Sequence, residues 1–166
     1  PEKDVVVRRK DRIAGVWINA AQVTFRSTPT FYAIASSGPL DKIVPQLLAR
    51  QEEVGAQNLR LSIVEKVTPR EAAAYREALI RNYKKSGLYA TDIARVRFLG
   101  QRLFRAEIRF PSNVPTGTYT VKVLQIKDGS VVSAFSRPLP VSKAGMSARI
   151  FEFANRNAIF YGLIAI

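Results

Sequence analysis

The chain has 166 residues and a mass of 18.5 kDa, enough for one domain with a real core, and its 47% hydrophobic and 23% charged residues are ordinary for a globular protein. With 26 Lys plus Arg against 13 Asp plus Glu, the formal net charge of +13 favours anionic partners: nucleic acid, an anionic membrane surface or an acidic protein face. Cysteine and histidine are both absent, which excludes disulfides, thiolate nucleophiles, imidazole bases and nearly all zinc or copper sites.

The chain opens on Pro1 rather than Met and shows no signal peptide, so it reads as a fragment of a longer chain. DVVVRR and IAGVWIN read as β-branched strands on either side of a charged turn at Lys10 to Arg12. Positive charge is spread from Lys3 to Arg156, and only Arg8, Arg9, Lys10 and Arg12 form a dense run. That run reads in two ways. It is a contact for phosphates or lipid headgroups, or a solvated inter-strand turn that resists edge pairing. Trp17 reads as a core aromatic or as a partner-facing one. AAQVTFR alternates, with Ala21, Val23 and Phe25 on one face and Gln22, Thr24 and Arg26 on the other. TFYAIAS is a further strand, closed by the turn chemistry of SSGP.

A helical insertion is expected over about residues 39–87. LDKIVPQLLARQEE reads as a short helix that tolerates Pro45 only near its first turn or with a kink. TPREAAAYREALIRNYKKSG is a stronger helix: Thr68 suits the N-cap, Pro69 the first position, Glu71 a capping box and Gly87 the stop. Ala72, Tyr75, Leu79 and Tyr83 fall on one stripe, while Arg70, Glu77, Arg81 and Lys84 lie away from it. From Ala94 the period returns to two, through ARVRFLG, LFRAEIRF, GTYTVKVLQI and SVVSAFSRPLPV. Consecutive antiparallel strands are expected over residues 94–142, with Phe104, Ile108, Tyr119 and Val121 buried and a hairpin turn at Asp128 and Gly129. The fold expected is mainly β: an immunoglobulin-like antiparallel β-sandwich with an α-helical insertion.

The stretch KAGMSARIFEFANRN, within residues 143–157, mixes Met146, Ile150 and Phe153 with Arg149 and Arg156 and suits a segment lying along a membrane surface. Residues 158–166 carry no charge. A spanning helix needs about 20 apolar residues, so this run is too short to span and reads as the first part of a transmembrane helix, or else as a terminal strand or helix buried in the domain. Ala158, Ile159, Phe160, Tyr161, Leu163 and Ile164 would form the membrane anchor, with Phe160 and Tyr161 near the interface.

VVVRRKDRIAGVWIN, TFYAIASSGPL, VRFLGQRLFRAEIRFPSNVPTGTYTVKV and FEFANRNAIFYGLIAI together resemble the alpha-proteobacterial transmembrane protein family. The resemblance implies a signal peptide, an extracytoplasmic β-rich region spanning residues 1–142 here, and one C-terminal transmembrane helix followed by a basic tail. It also implies a gene-neighbourhood association with a sulfite-exporter-like membrane protein.

Neither GxGxxG nor GxxxxGK[ST] occurs, and the acidic pair Glu52 and Glu53 would face different directions on a helix. No residue spacing recommends a catalytic group, and no cofactor or metal is expected. These observations lead to a non-enzymatic domain at the inner membrane, single-pass and periplasmic, acting as an accessory subunit beside an integral inner-membrane protein. Its contacts would be the lipid bilayer through the C-terminal helix and anionic headgroups. The alternative is a basic anion- or nucleic-acid-binding domain. Nucleic acid is disfavoured because the charge is dispersed rather than gathered into a stripe.

Overall fold

The structure is a computed structural model. It describes residues 1–13, 16–100, 103–142 and 147–150, with the side chains of 10–13, 16–20 and 147–150 left aside. The chain is mainly β. Two long strands, β1 (Glu2–Ile13) and β2 (Val16–Pro29), form an antiparallel hairpin that runs from Glu2 opposite Pro29 to Ile13 opposite Val16. Arg8 and Arg9 lie within β1 as the strand DVVVRR predicts, and Lys10 to Arg12 lie within it too, which corrects the turn expected there. The run DVVVRRKDRI contains no Gly, Pro or Asn to bend the chain.

After β2, the segment expected as a strand over TFYAIAS forms a ladder only at β3 (Ala35–Ser36), although Tyr32 also bridges Tyr89. Helices α1 (Leu40–Ile43) and α2 (Gln46–Gln51) follow, interrupted at Val44 and Pro45, so the proline divides the expected helix instead of kinking it. A 3-10 turn (Ala56–Asn58) leads to β4 (Ser62–Ile63), which pairs with the outer edge of β2. Next comes α3 (Pro69–Lys85), whose N-terminus is closed by a capping box. The Glu71 N–H donates to the Thr68 hydroxyl at 3.3 Å, and the Thr68 N–H donates to the Glu71 carboxylate at 3.0 Å.

The strand β5 (Ala94–Arg95) pairs in parallel with β3, because the helical segment between them acts as a crossover. The expectation of antiparallel strands from Ala94 holds from β6 onward. There β6 (Arg97–Leu99) pairs with β7 (Leu103–Arg109), and β8 (Gly117–Lys127) pairs with β9 (Ser130–Val141). Asp128 (φ 50) and Gly129 (φ 74) make the tight β8–β9 turn with the two positive φ angles that a type I′ hairpin requires. On its other edge β7 pairs antiparallel with β10 (Ser147–Ile150). Four residues of the expected surface-lying segment are thus in a sheet.

The main core sits between the β1–β2 hairpin and α3. Val7, Val23 and Phe25 meet Ala56, Leu59 and Leu61 from the connecting segment and Tyr75, Leu79, Tyr83 and Tyr89 from the helical side. Residues of the expected insertion therefore supply six of these ten core side chains. A second cluster stacks Phe31 on Phe110 at 4.5 Å, with the Tyr119 ring edge-on to both. Of the four residues expected to be buried in the later strands, Tyr119 is buried while Phe104, Ile108 and Val121 are half-buried. Ladders of two and three strands cannot cover a side chain as fully as two broad sheets packed face to face.

Among the described residues no helix is long and apolar enough to cross a membrane. The anchor expected at Ala158, Ile159, Phe160, Tyr161, Leu163 and Ile164 lies outside the described residues.

Candidate interaction surface

Of the expected anionic contact, the side chains of Arg8 and Arg9 are described, and both are exposed on β1. They stand next to each other in sequence, so the strand's period of two sends them to opposite faces. The Arg8 Nε–H donates to Gln22 Oε1 at 3.3 Å across the ladder. Arg9 faces the capping carboxylate of Glu71, which is held below the usual carboxylate range first by the Thr68 hydroxyl and backbone N–H, and to a smaller degree by the Arg9 charge. Lys10 and Arg12 continue the strand backbone; their side chains lie outside those described. A bulge between Arg9 and Lys10 changes the register within the basic run. The strand thus disperses Arg8 and Arg9 rather than forming a single cradle from them.

A mixed-charge recess opens beside the hairpin, lined by Glu2, Arg26, Glu53 and Arg60 among others. The loop behind it is fastened by Tyr32, whose hydroxyl donates to the Glu53 carbonyl at 2.8 Å and accepts from the Gly55 N–H at 2.7 Å. Both loop residues have positive φ, 57° at Glu53 and 100° at Gly55. Burial pushes the Tyr32 phenol up to about 12, partly offset by the Gly55 N–H and reinforced by the nearby Glu53 charge. Arg60 pairs with Glu53 at 3.4 Å, so opposite charges in the recess are set against each other. No group of three acidic side chains that could hold a metal ion occurs among the described residues.

The surface feature that sequence reasoning missed is the β6–β7 hairpin. Phe98 is 68% exposed, Leu99 50% and nearby Ile93 51%. Arg95 and Arg97 are exposed beside them. Period-two alternation assigned these residues to an ordinary strand, one face in and one out. The available signal was local: Phe98 and Leu99 are consecutive apolar residues at the end of a short strand, just before Gly100, where little of the sheet lies on either face to cover them.

The chain matches, over residues 1–166, the family described as "Putative transmembrane protein". The chain belongs to this family. The matched range includes the apolar run from Ala158. Neither a curated protein nor a solved structure matches this family member.

Proposed function

We propose that this chain is a membrane-anchored interaction domain on the periplasmic side of the inner membrane and an accessory subunit of an integral-membrane complex. The observation that carries the proposal is the full-length match to a transmembrane family together with the uncharged run at 158–166, which has the composition of a membrane anchor. The anchor holds the domain close to the bilayer and raises its effective concentration near an embedded partner, so a modest interface suffices. The immunoglobulin-like reading of the β half is supported by Tyr119, whose hydroxyl donates back to the Pro115 carbonyl at 2.6 Å in the manner of a tyrosine corner.

The alternative, a basic domain that binds nucleic acid or other anions, draws on the net charge of +13 and on exposed Arg8 and Arg9. Its affinity would fall steeply with salt. Mild detergent extraction of the full-length protein tests the main reading. An integral membrane protein recovered in fixed proportion to the chain is the expected result. Recovery of nucleic acid, lost on washing with salt, would favour the alternative.

A further inference from the structure

Phe98 and Leu99 are consecutive, and both are at least half exposed although strands normally hide one face. Leaving such side chains in water forgoes about 25 cal/mol for each Å² of apolar surface that could be buried. The hairpin's neighbours are basic, with Arg95 and Arg97 within four residues of Leu99 and exposed. Apolar tips edged by arginines match the boundary of an anionic bilayer, where rings and aliphatic chains enter the acyl region and guanidinium groups bind phosphates.

Topology adds an independent constraint. In the sheet ordered β10-β7-β6, Ser147 lies opposite Arg109 and Ile150 opposite Ala106. β10 therefore travels toward the start of β7, the end at which Leu103 lies opposite Leu99 and the β6–β7 turn sits. Strands are spaced about 4.8 Å apart, so β6 and β10 are roughly 10 Å from each other across β7. Seven residues lie between Ile150 and Ala158, so eight Cα–Cα steps join them. At full extension they reach at most about 28 Å. β10 therefore points toward the end that carries the exposed Phe98 and Leu99, and the apolar run begins no further along the sequence than that length of chain.

We infer that the β6–β7 hairpin is a second membrane contact, with Phe98 and Leu99 inserted among the lipids of the bilayer that holds the tail and Arg95 and Arg97 on its anionic headgroups. This inference rests on the membrane-anchored reading above. Two contacts, the tail and the hairpin, fix the domain's orientation on the membrane, whereas a single tether would leave it free to tumble.

These 166 residues contain no cysteine, so single labels can be placed within them in the full-length protein once any cysteine elsewhere is replaced. Leu99→Cys, Phe160→Cys and, as a control on exposed β9, Ser133→Cys would carry a nitrobenzoxadiazole label in vesicles of phosphatidylcholine and phosphatidylglycerol. The label at 99 should shift to the blue and be quenched several-fold more by doxyl-labelled lipid than the label at 133, which iodide in the water should quench. Arg95→Gln with Arg97→Gln should weaken lipid quenching at 99, and unchanged quenching would overturn the headgroup contact. A protected label at 160 beside a water-accessible label at 99 overturns the hairpin insertion alone. A water-accessible label at 160 overturns the anchor and this inference together. Shielding of 99 from iodide without quenching by lipid means that a protein or a second copy covers the hairpin, which also overturns it.

Discussion

Tyr32 and Glu65 are two side chains whose removal reports on how the loops are held. The Tyr32 hydroxyl satisfies one donor and one acceptor in a loop with two left-handed residues, so Tyr32→Phe leaves the Gly55 N–H and the Glu53 carbonyl without that partner. The expected cost is about 1–3 kcal/mol in urea unfolding. Because the folded phenol is raised from 10.0 to about 12, its contribution is complete below pH 10 and is lost as pH rises through about 12. The difference between native and Tyr32→Phe proteins should therefore narrow over that window, and a constant difference would count against the clamp. Glu65 behaves in the opposite sense. Its carboxylate accepts the Thr24 N–H at 2.7 Å and the Thr24 hydroxyl at 2.8 Å, and chiefly the backbone bond holds it below 4.5. That contribution is present above pH 4.5 and is lost as pH falls through the lowered value, so Glu65→Gln should flatten the acid limb of a plot of unfolding midpoint against pH. Neither role was legible in the sequence. Tyr32 and Glu53 are 21 residues apart and Thr24 and Glu65 are 41 apart, and only the tertiary fold brings them together.

Elements whose determinants are local were legible, and those set by distant pairing were not. The start of α3 is coded within four residues by Thr68, Pro69 and Glu71, and the structure places the helix at Pro69–Lys85. Thr68→Ala should cost roughly 1 kcal/mol through loss of the cap. An unchanged unfolding midpoint with an unchanged far-ultraviolet circular dichroism signal would contradict it. The Asp128-Gly129 hairpin was equally local. By contrast, β3 is extended as its composition suggests, but its parallel partner β5 lies beyond three helices and no pattern in TFYAIAS names it. The stretch Lys10 to Arg12 differs from expectation for a related reason: charge and Asp11 suit a turn or an exposed strand, and pairing with the distant half of β2 decides between them. In β9, Pro138 and Pro140 lie opposite Thr120 and Thr118 in an unbroken stretch of ladder, so their missing N–H groups must be those that face away from β8. They remove two donors from the strand's outward side. Pro138→Val with Pro140→Val should restore those donors and increase self-association in sedimentation velocity. A strictly unchanged sedimentation coefficient across concentrations would show that the prolines do not guard this edge.

At the scale of the whole molecule, the mainly β character and the one clear helix were readable from periodicity, but the location of the core was not. The pattern VVV and QVTF gave an inward face to the hairpin, and the stripe Tyr75, Leu79 and Tyr83 gave one to α3. That these two faces meet depends on the path between them, along which Leu59 and Leu61 also enter the core. Residues 158–166 are anchor-like in composition. On the membrane-anchored reading, with the domain on the periplasmic side, every described element lies on one side of the bilayer. Protease added to intact spheroplasts of cells producing the full-length protein should then digest the domain and leave a short membrane-protected fragment. Arg149 and Arg156, close to the expected point of membrane entry, make the experiment discriminating, because basic residues beside a span favour the cytoplasmic side. Protection of the whole domain would place it in the cytoplasm. Release of the intact protein by carbonate washing would show that the apolar run does not hold it in the membrane, since alkaline carbonate strips peripheral proteins while a spanning helix stays in the lipid.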